Sequence, residues 1–248
     1  MIKNKTDFVK YGCKMIDGRY YILVNEKWYK LKKSKISANF SPVHVSDGMS
    51  GKMESVGSVS TACTCNPICK ERMKNKKMVC NKCYAEAQLE RAKKGFREVI
   101  LQCLETNYEL LTSSVLPRDL LPVFPNTSIF RIESFGDVAN VTQAINYTHI
   151  AEVNPNVTFA WWTKNLWLLE EAFNICGGKP SNIIVVQSSF FVNKQDQKHR
   201  IADKVFTVYT KEYATEHNID INCGARNCAT CRLCYSFNDT VYINELLK

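Results

Sequence analysis

The chain has 248 residues, of which 45% are hydrophobic and 23% charged, with ten glycines and seven prolines. This composition excludes disordered, fibrous and low-complexity proteins. The net charge is +9, and no apolar run approaches the ~18 to 20 residues that cross a bilayer. The first residues lack the apolar stretch and cleavage site of a secretory signal, so we expect a cytosolic protein.

The basic excess belongs to the N-terminal part of the sequence. Residues 1–40 carry ten Lys or Arg against three acids, and residues 66–94 carry nine against three. The lysine run at 30–35 follows Trp28 and Tyr29, a mixture that suits phosphate contact and base stacking. The alternative is a solvated, solubilising surface.

The N-terminal region is predicted to be β-rich. Residues 19–24 and 28–31 are β-forming runs around a polar turn at 25–27, which predicts a hairpin. Residues 41–62 contain many turn formers and are predicted to be a loop. We therefore divide the chain into a basic, β-rich extension (1–52) and a cysteine-rich α/β core domain (53–248).

The core domain is predicted to repeat a strand and a helix. Tyr84 to about Ser113 has helical periodicity, with a break near Gly95. Strands are then predicted at 128–132, 157–161, 182–187 and 204–209, with helices at 141–153 and 165–174. Strands about 25 residues apart, joined by connections of helix length, favour parallel pairing and right-handed crossovers. The fold class is therefore α/β, either a parallel βα-repeat sheet or a partial (β/α) barrel.

Polar residues follow each predicted strand of the core. In both architectures ligands gather at the carboxyl ends of the strands, so these residues are candidates for one ligand pocket. At single positions the alternative is helix capping, as for Asp137 and Ser189. The candidate ligand-binding residues are Ser134, Gly136, Asp137, Thr163, Lys164, Ser188 and Ser189.

Nine of the twelve cysteines fall into two short stretches, which suggests metal ligands in a reducing compartment. The second stretch has the close spacing of iron–sulfur ligand runs. The first offers five sulfurs where a tetrahedral centre needs four, and Cys80 and Cys83 precede a helix whose amides favour thiolates. Zinc accepts the same thiolates, so both metals stay open. The first cysteine group is Cys63, Cys65, Cys69, Cys80 and Cys83, and the second is Cys223, Cys228, Cys231 and Cys234.

The remaining cysteines are Cys13, Cys103 and Cys176. For Cys103 and Cys176 a structural role is predicted, because solitary cysteines behave as small hydrophobic residues. None of the four histidines lies within a cysteine group, so no histidine is predicted to be a ligand.

Several short motifs keep the order of a known family. They are Cys83-Tyr84-Ala85, Asn66-Pro67, Phe130-Arg131, Ser134-Phe135-Gly136-Asp137, Asn154-Pro155, Thr163-Lys164, Ser188-Ser189 and the terminal cysteines. From about residue 53 to the end, the chain resembles the bacteriophage gene product 88 family. The resemblance implies a cysteine-rich viral protein of the host cytoplasm.

The Cys-Tyr-Ala element and the βα repeats are also similar to the radical SAM superfamily, whose partial barrel carries a 4Fe-4S cluster on three cysteines. The match falls on Cys69, Cys80 and Cys83. Ten residues separate Cys69 from Cys80, unlike the compact family motif, and no Gly-Gly-Glu element follows. These departures argue against SAM as a cofactor.

Two functional hypotheses follow. The first is an iron–sulfur protein, with redox or radical-type chemistry on an anionic small ligand that Asp137 and Lys164 hold and Ser134 and Ser189 orient. The second is a zinc-stapled protein without catalytic activity whose basic hairpin binds nucleic acid. Neither hypothesis includes a membrane partner.

Overall fold

The computed structural model describes residues 1–48, 51–224 and 227–247. None of the helices in these ranges is both long and apolar enough to cross a membrane. The α-helices are α1 (Lys5–Lys10), α2 (Pro67–Lys74), α3 (Tyr84–Arg91), α4 (Lys94–Ser113), α5 (Val141–Glu152), α6 (Leu166–Ile175), α7 (Lys211–Glu216) and α8 (Cys228–Cys231). The strands are β1 (Lys14–Ile16), β2 (Arg19–Val24), β3 (Lys27–Lys30), β4 (Val45–Ser46), β5 (Gly57–Val59), β6 (Ile129–Ile132), β7 (Thr158–Thr163), β8 (Ile183–Ser188), β9 (Lys204–Tyr209) and β10 (Tyr242–Leu246).

A seven-stranded sheet forms the centre of the molecule. Its order is β10-β9-β8-β7-β6-β5-β4, and every pair is parallel except β4 with β5. The six parallel strands thus follow one another in chain order. A doubly wound sheet reverses its strand order at a switch point, whereas this order runs in one direction, as in a partial (β/α) barrel.

Strand residues alternate between the two faces of the sheet. On the helix face, Phe130, Phe159 and Trp161 are fully buried against α4, α5 and α6. On the opposite face, here the inner face, Ile129, Trp162 and neighbouring apolar residues pack against Tyr235, Cys228 and Cys234. Because crossovers in one direction and of one hand place the helices on a single side, the inner face is covered by the C-terminal segment instead.

The N-terminal region forms a second, antiparallel sheet of β1, β2 and β3. The predicted hairpin is confirmed, and its two-residue turn has positive φ at Asn25 (46°) and Glu26 (62°). Such angles at both turn positions are typical of the type I′ turn that matches strand twist. Ile2, Phe8 and Ile22 form a small core beneath this sheet with Leu31 and Leu120.

The structure corrects the predicted elements in two places and confirms a third. The helix after Tyr84 is two helices, α3 and α4, and the break between them at Ala92 and Lys93 lies near Gly95, as predicted. Residues 41–62 were predicted to be a loop, but they contain β4 and β5. The parallel strands number six rather than four. The sequence does not predict strands β4, β5 and β10, because they lack the apolar, β-branched runs that mark buried strands.

Candidate functional site

The first cysteine group lies beyond the carboxyl end of β5, the first parallel strand of the sheet. Asn66 caps α2, since its side chain accepts hydrogen bonds from the amides of Ile68 (2.9 Å) and Cys69 (3.3 Å). Its side-chain amide donates to the Asp137 carbonyl at 2.7 Å. These bonds attach the cysteine-bearing helix to the loop after β6. The carboxyl ends of the parallel strands, here the carboxyl edge, thus hold this group.

Four of the five sulfurs in this group are electrostatic neighbours. The Cys63 thiol hydrogen-bonds to Cys83 and thereby lowers the pKa of Cys83, as do the backbone amides of Glu86 and Ala85 at the start of α3. Burial raises the pKa of the Cys69 thiol, and the charges of Asp137, Glu133 and Cys80 raise it further. Cys63, Cys69, Cys80 and Cys83 therefore form one neighbourhood.

Cys65 faces another environment. Cys65 packs against the small apolar cluster of Ala62, Leu89 and Leu104, and burial raises its pKa, as does the charge of Glu105. Of the five sulfurs, Cys65 is the one that the geometry leaves outside the group of four.

Glu133 is the most unusual residue at the carboxyl edge. It directly follows β6, has a positive φ of 58° and is 1% exposed. Its carboxylate accepts hydrogen bonds from the Thr61 amide (3.1 Å) and hydroxyl (2.8 Å), the Gln143 amide (2.8 Å) and the Tyr147 hydroxyl (2.6 Å). Burial raises its pKa to about 7, against the opposing effect of these donors. Glu133 thereby links the ends of β5 and β6 to α5.

Asp137 is held by the backbone and side chains around it. Its carboxylate accepts hydrogen bonds from the Thr163 hydroxyl (2.6 Å) and the amides of Val138 (2.8 Å) and Lys164 (3.1 Å). Arg72 lies at 3.4 Å from the same carboxylate. Asp137 thus joins β6, β7 and α2, and most of its acceptor capacity is used inside the protein.

Gly136 is required by close approach rather than by backbone angle. A Cβ atom there would lie 2.7 Å from the Thr61 carbonyl oxygen and 2.8 Å from a Glu133 carboxylate oxygen. Any larger residue would push the loop after β6 away from β5. Gly136 therefore lets the Glu133 and Asp137 carboxylates approach the first cysteine group.

The other predicted ligand-binding residues lie along the same edge. The Ser134 hydroxyl is 2.7 Å from that of Ser60, and the Ser189 hydroxyl is 2.8 Å from that of Thr207. Ser188, half-buried, ends β8 beside Ser189. Lys164 is half-buried, and among the described residues its ammonium group has no hydrogen-bonding or ionic partner. At this edge the Ser134 and Ser189 hydroxyls thus have hydrogen-bonding partners, whereas the Lys164 ammonium has none among the described residues.

The second cysteine group lies on the inner face of the sheet. Cys223, Cys228, Cys231 and Cys234 line a cavity of about 420 Å³ together with Lys52, while Ala225 and Arg226 lie outside the described residues. Cys223 pairs with β10 through its amide, which donates to the Asn244 carbonyl at 2.9 Å. All four sulfurs of this group therefore share one concavity.

Cations surround the second cysteine group. The Lys52 ammonium is 3.6 Å from the Cys223 sulfur and 2.5 Å from a Glu245 carboxylate oxygen. The Arg131 guanidinium lies over the Trp162 ring at 4.0 Å, on the inner face. Burial raises the pKa of Cys228, and the positive charges of Arg131 and Lys52 oppose that rise. Burial also raises the pKa of Cys234 to about 12, again opposed by Arg131.

Within the described ranges, no three His, Cys, Asp or Glu side chains are arranged so that they could hold a metal ion. A single zinc ion needs its ligand atoms within about 2.0–2.3 Å of one point. The cysteines of each group are gathered without closing such a site. Binding of a single zinc ion at either group therefore requires movement of the cysteine sulfurs towards one point.

Sequence reasoning missed Glu133 and Arg131 as parts of these sites. Arg131 is a charged residue inside the otherwise apolar strand β6, and Glu133 is the first residue after that strand. A charge within a buried strand is an available signal, since such groups are rarely placed there without a partner. The positive φ of Glu133 has no comparable sequence signal.

Compared with known proteins, the chain matches no family model, no curated protein and no solved structure. The resemblances drawn from its short motifs therefore stay predictions.

Proposed function

We propose that the chain is an iron–sulfur protein that binds a cluster at the carboxyl edge and a second metal centre on the inner face. Cys63, Cys69, Cys80 and Cys83 would hold the first, and the four cysteines of the second group would hold the other. The observation that carries the proposal is that four thiols meet beside buried polar groups at the edge where βα sheets bind ligands.

The donor chemistry fits such a centre. Thiolate-only ligand sets suit iron–sulfur clusters or zinc, and the cation pair around the second group offsets its negative charge. In a cluster the thiolates bind different iron atoms, which suits ligands that are gathered without converging on one point. When bound, an iron–sulfur cluster supplies one-electron chemistry.

We further propose that the carboxyl edge binds a small anionic ligand, and this part of the proposal rests on Lys164. Its half-buried ammonium stands at the carboxyl edge without a partner among the described residues, whereas the Asp137 carboxylate is engaged. Lys164→Met should weaken binding of inorganic phosphate, followed by amide NMR shifts in the full chain. Lys194→Met, at an exposed loop lysine, is the control. Equal phosphate affinity in both variants would remove the anion part of the proposal.

The test of the metal is the content of iron, zinc and acid-labile sulfide, with a visible spectrum, on protein prepared without oxygen. Iron and sulfide with visible absorption would support the cluster. Colourless protein with about two zinc ions per chain, one for each four-cysteine group, would overturn it. That result would support the second hypothesis, in which zinc holds both cysteine groups in a structural role.

The nucleic-acid alternative has a narrower basis. The Lys14 ammonium lies 4.5 Å from the centre of the Trp28 ring, and Lys27 pairs with Glu109, so part of the basic and aromatic surface is already engaged within the protein. Binding of a single-stranded oligonucleotide should fall steeply with salt if lysine contacts to phosphates dominate. A flat salt response would exclude this alternative.

A further inference from the structure

A histidine, a lysine and a cysteine meet outside both cysteine groups. The His44 Nδ1 atom is 3.0 Å from the Cys103 sulfur, and the Lys32 ammonium is 3.1 Å from His44 Nδ1 and 3.6 Å from the same sulfur. Lys32 follows β3, His44 precedes β4 and Cys103 lies in α4. Two nearby N-terminal segments and a helix 59 residues beyond His44 thus contribute one side chain each to a contact triangle, which we name the Cys103 site.

The backbone around the Cys103 site is fixed. Asn107, one turn further along α4, accepts from the His44 amide and donates to the His44 carbonyl, both at 2.8 Å. The same side chain donates to the Ser60 carbonyl at 2.9 Å. Asn107 is itself 1% exposed. His44 is therefore held against α4 by paired hydrogen bonds rather than by chance contact of exposed side chains.

The charge at this site is positive. Burial, together with the charges of Lys32 and Lys30, lowers the pKa of His44 to about 4, so its imidazole is neutral at neutral pH. The Lys32 ammonium can donate to both the imidazole nitrogen and the sulfur. Cys103 is also only partly buried, so a small reagent can reach it. Partly exposed cysteines beside cationic groups are those that react as thiolates.

The two other solitary cysteines differ. Cys13 is partly buried, and burial raises its pKa. Burial and Glu152 raise the pKa of Cys176, whose sulfur is 3.9 Å from His149 Nε2. Neither has a lysine ammonium in hydrogen-bonding contact with its sulfur among the described residues. They are therefore internal controls for the environment of Cys103.

We propose that Cys103 is a reactive thiol that undergoes exchange with small disulfides, with Lys32 and His44 as its positioning residues. The Cys103 thiol releases its proton to solvent, and the thiolate attacks one sulfur of the disulfide. A new sulfur–sulfur bond forms as the old one breaks, and the leaving thiolate takes up a proton from solvent. The disulfide is the only oxidant that the step needs.

The test uses oxidised glutathione on the full chain, with the adduct at each solitary cysteine followed over time by peptide mass spectrometry. Cys103 should form the mixed disulfide at least roughly tenfold faster than Cys13 or Cys176. Lys32→Met should slow Cys103 by roughly tenfold and leave the other two unchanged, while Lys32→Arg should keep most of the rate.

Equal rates at the three cysteines of the unmodified chain would overturn the proposal, and this comparison needs no variant to fold. A Cys103 rate that is the same in Lys32→Met and Lys32→Arg would also overturn it. The result does not depend on the metal proposal, because the Cys103 site shares no residue with either cysteine group.

Discussion

The two cysteine groups differ in the charges that predominate around them. The first lies beside the carboxylates of Glu133, Asp137 and Glu86, whereas the second lies beside Arg131 and Lys52. Each group also has one opposing charge, since Arg72 lowers the pKa of Cys69 and Glu245 raises the pKa of Cys223. Two cysteine groups of different spacing thus lie in different surroundings, one at the carboxyl edge among buried carboxylates and one in the covering of the sheet beside two cations.

The largest expected effect tests which sulfurs belong to the first group. Cys69→Ser should abolish iron and sulfide binding at the carboxyl edge, because Cys69 lies among the other sulfurs and the two carboxylates. Cys65→Ser is the matched control and should retain both, since Cys65 packs into an apolar cluster. The measurement is iron and sulfide per chain. Equal loss in both variants would contradict the set of four.

Glu133, beside the first group, should make the free energy of unfolding depend on pH. Its folded pKa of about 7 lies above its ordinary 4.5, so the folded state binds the extra proton between these values. The free energy of unfolding should therefore fall, by up to about 3 kcal/mol, as the pH rises from about 4.5 to about 7. Urea unfolding of wild type and Glu133→Gln across this range isolates the contribution.

The pH dependence of Glu133 is obtained from the difference in the free energy of unfolding between wild type and Glu133→Gln. The wild-type curve alone is insufficient, because His44 changes the stability in the opposite direction. Its folded pKa of about 4 lies below its ordinary 6.5, so its contribution is present above 6.5 and is lost as the pH falls towards 4. Parallel pH curves for wild type and Glu133→Gln would show that Glu133 stays ionised in the folded protein.

Arg131 provides the corresponding test of the second group. Arg131→Met keeps an apolar side chain on Trp162 but removes the cation, so the second group should hold its metal about ten- to a hundredfold less tightly. Arg131→Lys should retain most of that affinity. Competition with a chelator measures it, and the first group should respond little. Unchanged metal affinity in Arg131→Met would show that the charge of Arg131 does not contribute to metal binding at the second group.

Lys52 should have the smallest effect of the four. Its side chain is 29% exposed, and its contacts are with Glu245 and Cys223, so Lys52→Met should destabilise the protein by up to about 1 kcal/mol. Lys179→Met is a matched control, because the Lys179–Asp203 ion pair is similarly exposed and remote from the cysteines. A larger loss of metal in Lys52→Met than in Lys179→Met, read by chelator competition, identifies the contact with Cys223 as the cause.

Much of the fold could be predicted from patterns in the chain. The runs that become β6, β7, β8 and β9 are largely buried and rich in β-branched and aromatic residues, so they are easy to recognise. Strand β5 reads Gly-Ser-Val and is nonetheless wholly buried. Its place depends on Phe130, which packs where a Gly57 side chain would stand. Tertiary contacts of that kind have no local signal.

The candidate site was predictable in its location but not in its electrostatics. Residues 66–94 have a basic excess, yet the carboxylates of Glu133 and Asp137 come from the segment after β6, about forty residues beyond position 94, and raise the pKa of Cys69. Lys52 likewise contacts Cys223, although the two residues are 171 positions apart in the sequence. Charge counted along the sequence is therefore a poor guide to charge in space.

The sequential strand order has a consequence for biosynthesis. Ile129, Trp162 and Ile184 are made well before Cys228 and Tyr235, the residues that pack over them. A growing chain therefore exposes an apolar sheet surface until its C-terminal segment leaves the ribosome, and such surfaces invite aggregation and chaperone binding. Because the covering segment also carries the second cysteine group, the metal that we propose for this group would be delivered while the face is still open, and closure of the face would then retain it.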